Sequence, residues 1–403
     1  MGANKAAMNT SKAQAGLSLI EMMVGLAIGL IAILIIGQVT AMFEGQKRTT
    51  TGGSDAQTNA GVSLRELTKE INMAGYGIIN AGLSDKEPGN QICSLGINVY
   101  YNGTVVSDPG KVPAPTDGGI LAPVRIVDGA TPAGDSIIVV RSDAEYGVLT
   151  TKVNKPVTTS PPLVTVDSAL GYQPGQLFLI GSTDGKKRCS LLQLSGTPTQ
   201  AVGTTWSAWE LPFAASASYP YNTATPKVTF ADFPDYAVGD VVINMGYSPT
   251  TGNISADRSF IYRNYHVECN KLAIVDPSQV AGPYTCANTT PLVDEIVSMQ
   301  AQYGIALAGS QAVDHWIDAK GIWAYDKLTA AQINLIKAVR IAVVSRSPQL
   351  EKTMVSPATL TLWTTLKAGD DPAPTYTVPD QHYRYSVQTT VVPVKNVIWG
   401  KLQ

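Results

Sequence analysis

An unbroken apolar run from Leu17 to Val39, containing a single ionisable side chain, Glu21, constrains this chain more than any other feature. A helix of that length, rising about 1.5 Å per residue, crosses the ~30 Å hydrocarbon core of a bilayer. A carboxylate placed there costs ~2.5 kcal/mol or more on insertion scales, which makes it a candidate functional group. The plainer alternative is that Glu21, about one turn from the helix end, snorkels to the interface. Residues 1–16 carry Lys5 and Lys12, no acid, and end in Gly16. That basic segment stays cytoplasmic and sends the rest of the chain outward. Val39-Thr40-Ala41 also fits the small-residue rule of an ordinary secretory signal. The run, however, exceeds the ~7–15 residues of such a signal and contains Glu21.

Residues 16–30 read Gly-Leu-Ser-Leu-Ile-Glu-Met-Met-Val-Gly-Leu-Ala-Ile-Gly-Leu. With the basic leader, they resemble the class III leader of type IV prepilins and pseudopilins, and most of all the PilW-type minor pilins. The resemblance implies cleavage between Gly16 and Leu17 by a prepilin peptidase, N-methylation of Leu17, and a role for Glu21 in assembly. Cleavage would create a charged amine on Leu17. Glu21 of one subunit could pair with that amine on a neighbour, because ions in hydrocarbon attract strongly and are costly when unpaired. One such pair penalises every wrong axial offset between apolar helices, so it acts as a registry device. Gly25 and Gly29 form a G-x-x-x-G pair that permits close helix approach in lipid.

The expected fold is α+β: a long N-terminal pilin helix, membrane-spanning in its first half, packed on a large β-rich globular head. Its expected divisions are a leader (1–16), a transmembrane part (17–40), the outer part of the spine (41–77), a β-rich variable region (78–255) and a C-terminal pilin-like α+β part (256–403). Thr49 to Gly53 predicts a weak or kinked stretch. Ala60, Leu64, Leu67, Ile71 and Ala74 form an amphipathic stripe that ends at Gly75-Tyr76-Gly77. Beyond it, β-branched runs between turn residues predict strands over 136–141, 176–180, 190–194, 228–230, 241–244 and 259–265. Three of these follow Gly-polar turns at Gly134-Asp135, Gly175-Gln176 and Gly239-Asp240. Pro113–Pro123 and Pro156–Pro162 read as surface loops. Thr290-Pro291 with Leu292, Ile296, Met299 and Tyr303 predicts a helix, and a second, short helix starts at Thr329. Strands are predicted over 338–345 and 383–391, the latter ending before Pro393. Residues 67–77, 292–304, 337–341 and 383–396 also resemble PilW-type chains.

Cys93, Cys189, Cys269 and Cys286 all fall on the outward side of the helix, where disulfides are permitted. Four cysteines allow three connectivities. The turn-rich stretch between Cys269 and Cys286 favours that pair, leaving Cys93 with Cys189. No metal is expected, since no two cysteines have C-x-x-C spacing and His266, His315 and His382 are scattered. No H-E-x-x-H, G-x-S-x-G or complete phosphate loop occurs, so neither an enzyme nor a cofactor is expected. Lys186-Lys187-Arg188 reads as a solvated basic turn and Gly369-Asp370-Asp371-Pro372 as a polar turn. Losing residues 1–16 takes the formal charge from −2 to −4, so no nucleic-acid partner is indicated.

The resemblance implies a minor pilin that helps initiate the type IV pilus at the fibre tip. The alternatives are a minor pseudopilin of a type II secretion system, or a pilus-borne adhesin with a ligand-binding head. The implied partners are the prepilin peptidase, other minor pilins, the major pilin and the inner-membrane assembly platform. The implied location is the inner membrane, through a single helix with the head in the periplasm, and then the fibre at the cell surface.

Overall fold

The computed structural model describes residues 18–78, 93, 96–106, 122–129, 133–142, 150–183, 186–202, 208–230, 233–247, 261–276, 283–364 and 367–399. The expected leader and most of the 113–123 stretch lie outside these. The chain forms two compact units, Met1–Gly52 and Gly53–Gln403.

Helix α1 spans Leu19–Met73. The break expected at Thr49 to Gly53 is corrected: those residues are helical. Nucleation is the costly step of helix formation, so poor formers inside an established helix each add a modest penalty without stopping it. Thr50 Oγ1 also donates back to the Gln46 carbonyl at 2.9 Å. The end comes where the sequence placed it, with turns over 74–78 and positive φ at Gly75 and Gly77.

The first strands of the second unit are β1 (Ile97–Tyr101), β2 (Thr104–Val106), β3 (Val124–Val127), β4 (Ser136–Arg141) and β5 (Thr150–Thr159). Next come β6 (Pro162–Val166), β7 (Gln176–Gly181), β8 (Cys189–Gln193), β9 (Thr199–Gln200) and β10 (Trp209–Pro212). A one-turn helix α2 (Pro226–Thr229) precedes β11 (Val241–Tyr247), β12 (Ile261–Glu268), β13 (Lys271–Val275), β14 (Thr290–Asp294), β15 (Ile296–Ile305) and β16 (His315–Ile317). The chain continues through α3 (Ala330–Leu335), β17 (Ile336–Arg346), β18 (Thr359–Thr361), β19 (Thr375–Thr377), β20 (Tyr385–Pro393) and α4 (Lys395–Trp399).

These strands form layers. A nine-stranded sheet runs β2-β1-β8-β7-β11-β5-β6-β10-β9, and a five-stranded sheet runs β14-β13-β12-β4-β3. A four-stranded sheet runs β16-β15-β17-β20, with β18 and β19 paired beside it. Strand β4 shows how the layers are glued. Ile138 and Val140 face the nine-stranded sheet, while Ile137 and Val139 face the core built on α1. A strand covered on both faces must be apolar at every position, which is why Ser-Ile-Ile-Val-Val-Arg does not alternate. Strands β3 and β4, from the middle of the chain, share a sheet with β12 to β14 of the C-terminal part. Ala60, Leu64, Leu67, Ile71 and Ala74 pack into the same core as Met299, Tyr303, Val339, Ile341 and Val392.

Four further expectations are corrected. Leu292, Ile296, Met299 and Tyr303 do not share a helical face but lie on β14 and β15. On β15, Met299, Ala301 and Tyr303 face the α1 core, while Val297 faces the layer of Trp363 and Tyr376. Within β15 Met299, Ala301, Tyr303 and Ile305 alternate with Ser298, Gln300, Gln302 and Gly304, a period of two that outweighs the helical spacing of four residues spread over two strands. Pro156–Pro162 is a hairpin of β5 and β6 rather than a loop. Pro156 falls where the β5 register shifts and its pairing to β11 has ended, so no ladder bond is lost there. Val228 and Thr229 belong to α2, with Pro226 preset for the first helical turn. Pro393 is the last residue of β20 rather than its stop. The helix expected at Thr329 is α3, closed by a reciprocal capping box between Thr329 and Gln332.

The Gly-polar turns share one device. Gly134, Gly175 and Gly239 have φ of 86°, 90° and 92°. The buried side chain that follows then accepts a nearby N–H: Asp135 from Gly129, Gln176 from Gln173, and Asp240 from Ala237. At Gly134 a Cβ would also strike the Met299 carbonyl, so this turn requires glycine twice over.

Candidate assembly site

Gly16 and Leu17, the expected cleavage and methylation positions, lie outside the described residues. Ser18 stands just before the helix, and its N–H donates to Glu21 Oε2 at 3.2 Å. Ser18 is thus the N-cap and Glu21 the third helical residue, one half of a capping box. The S-x-x-E spacing of Ser18-Leu19-Ile20-Glu21 is the sequence signal of this cap. The carboxylate is folded back over the positive end of the helix dipole, where negative charge is favoured.

Around and beyond it, the helix is naked in the isolated chain. Leu19, Ile20, Met22, Leu26, Ile33 and Phe43 are exposed, along with the other large apolar side chains up to that point. The helix is long and apolar enough to cross a membrane. A Cβ added at Gly25 or Gly29 would meet nothing within 4 Å, so that flat strip is open to another helix.

The remaining candidates lie in the head. Cys93 is bonded to Cys189 and Cys269 to Cys286, with Cα atoms 5.2 and 6.0 Å apart. Cys93 and Cys189 are fully buried, whereas Cys269 and Cys286 are exposed. A mild reductant should therefore open the 269–286 bridge in the native protein and leave the other intact until unfolding. Alkylation followed by peptide mass analysis checks this, and parallel loss of both bridges would contradict it. By loop length the 269–286 bridge contributes about 3 kcal/mol and the 93–189 bridge about 4–5 kcal/mol in the chain-entropy picture.

The three histidines are not brought together. His266 stacks on Tyr284, and burial pushes its pKa down. His315 lies against Asp314, with its ring backed by Gly369, and His382 pairs with Asp380 at 2.8 Å. Among the described residues, Glu268 with Cys269 and Cys286 has metal-like spacing, but both sulfurs are joined in the disulfide.

The basic turn read as solvated is corrected, while the 369–372 stretch is the polar turn expected. Lys187 bonds Asp240 at 2.8 Å and the Asp235 carbonyl. Asp370 and Asp371 accept the Trp316 and Asp318 amides, which fastens β16. The strongest polar contacts that sequence reasoning missed are non-local. Arg141 of β4 makes a bidentate pair with Glu70 of α1, with both side chains buried. Asp135 Oδ2 accepts the Ala301 amide at 2.8 Å, joining the β3–β4 turn to β15. Burial raises the Asp135 pKa to about 7 against the pull of its two backbone N–H partners.

Comparison with known families matches both ends of the chain. Residues 11–37 match the prokaryotic N-terminal methylation motif, a stretch that contains Gly16, Leu17, Glu21, Gly25 and Gly29. Residues 266–396, from within β12 into α4, match the type IV pilus-assembly protein W family. No curated protein and no solved structure matches the chain. A methylation motif on an exposed apolar helix at one end, and a match to the assembly-protein W family over the sheet that holds that helix's continuation at the other, together support a type IV pilus-related minor pilin of the PilW type.

Proposed function

We propose that this subunit helps initiate the pilus, at or near the fibre tip, and that its work is assembly rather than catalysis. The observation that carries the reading is Glu21, the one carboxylate of the apolar run 17–39, exposed and held at the helix end where processing would release an amine. In this reading prepilin peptidase cuts between Gly16 and Leu17, Leu17 is N-methylated, and Glu21 pairs with the Leu17 amine of a neighbour. Gly25 and Gly29 let the helices close. Other minor pilins, the major pilin and the inner-membrane platform are the partners. The head starts in the periplasm and ends on the cell surface. A head of several stacked sheets is bulky for repeated packing in a shaft, which supports a rare or terminal position.

N-terminal sequencing and mass analysis of the membrane-bound and fibre-associated protein test the reading. A chain beginning at methylated Leu17 is expected. A chain beginning after Ala41 would overturn it.

A further inference from the structure

Strand β20 lies at an edge of its sheet, and among the described residues nothing pairs with its outer side. The ladder to β17 reveals which groups face outward. Ser347 donates its N–H to the Arg384 carbonyl, and Val394 donates its N–H to the Lys337 carbonyl, at the two ends of the pairing. Hydrogen-bonded residues alternate along an antiparallel strand, so even-numbered residues bond β17 and odd-numbered ones turn away. The N–H and C=O groups of Tyr385, Val387, Thr389 and Val391, with the Pro393 carbonyl, therefore point out of the sheet.

Natural folds blunt such edges by shortness, bulges, proline or charge. The other edges here follow that rule: β2, β3, β9 and β16 have four residues or fewer, and β14 carries Pro291, Asp294 and a register shift. By contrast β20 has nine residues, no charge, no register shift, and its proline at the far end. Val391 is 53% exposed.

We infer that the β20 edge is a strand-pairing surface, and that its partner is a β-strand of a different pilin-class subunit held in the same membrane or fibre. The size of the edge selects that partner. Nine residues make a strand about 30 Å long, and one strand covers far less than the ~1,200 Å² that free partners bury in a stable complex. Such a contact persists only where both chains are already confined, as tethering to a common surface achieves through effective concentrations of order mM. This inference rests on the assembly reading above.

The test uses the full chain in its own cells, with a photo-crosslinking amino acid at Val391. The expected adduct joins it to a strand-forming segment of another pilin-class subunit, and that adduct is lost on adding Thr389→Pro. Because the Thr389 N–H faces outward, proline there removes no bond to β17. Thr389→Lys replaces it if the proline variant loses wild-type protease resistance. Adducts only to a second copy, only to proteins outside the pilin class, or none at all would overturn the inference. So would an adduct that a well-folded Thr389 variant leaves unchanged. A chain that reaches sheared fibres without a pilin adduct refutes the edge alone, whereas absence from fibres refutes the assembly reading.

Discussion

Glu21→Ala should insert into the membrane and fold its head normally, yet fall about 100-fold or more in recovery from sheared fibres. The residue is exposed within a run, 17–39, that holds no other charge, so removing its charge makes insertion easier rather than harder. In the pairing proposed above, the change leaves a neighbour's amine buried in the fibre without its counter-ion. Breaking one side of a buried pair costs about 3–5 kcal/mol, and each 1.4 kcal/mol is a factor of ten. Glu21→Gln separates two explanations of such a loss. Its amide oxygen can still accept the Ser18 N–H and cap the helix, but it carries no charge. If Glu21 acts by pairing, the glutamine variant fails like the alanine one. If capping is what matters, the glutamine variant keeps most of its incorporation. Quantitative immunoblotting of sheared fibres against the membrane fraction decides between them, and normal incorporation of both variants would end the pairing argument.

What could be read from the sequence was local. The cost of Glu21 in an apolar run depends only on its neighbours in the chain, and the 60–74 stripe reflects a helix with one covered side. The Gly-polar turns were also visible, because glycine at positive φ and the side chain that folds back lie within a few residues of one another. Leu292, Ile296, Met299 and Tyr303 imitated a helix only because the chain passes from β14 into β15 between them, while the alternation of Met299, Ala301, Tyr303 and Ile305 with polar residues already marked a strand. Other misreadings arose where the answer depends on what lies across a sheet. Pro156 and Pro393 looked like breaks because proline is harmful only where its missing N–H would have met a partner. Which side of a strand is free is settled by the topology, not by the strand. The Ser18 cap is local as well: the S-x-x-E spacing of residues 18–21 marks a capping box in the sequence itself, beside the cost of the Glu21 charge.

The contact that sequence could least foresee joins Glu70 to Arg141 across 71 positions, and Arg141→Ala should be among the most destabilising single changes in the head. The glutamate side chain is 1% exposed and the arginine 5%, so neither can turn to water when its partner is lost. Lys69 lies 3.9 Å from Glu70 but is largely solvated, and it cannot replace a bidentate guanidinium. Leaving Glu70 buried and unpaired costs about 3–5 kcal/mol, a large part of the ~5–15 kcal/mol that holds a typical domain together. The pair ties α1 to β4, the strand that holds two layers together, so the loss should spread to both neighbouring cores. Urea unfolding of the detergent-solubilised full chain, followed by tryptophan fluorescence, should show a clearly lower midpoint. The double variant Glu70→Leu/Arg141→Met should regain much of the loss, because an apolar pair of similar volume removes the charges together with their desolvation cost. If the single variant unfolds like wild type, the ion pair contributes nothing to stability. If the double variant is as weak as the single one, the pair matters for its specific hydrogen bonds to β4 rather than for avoiding a stranded charge.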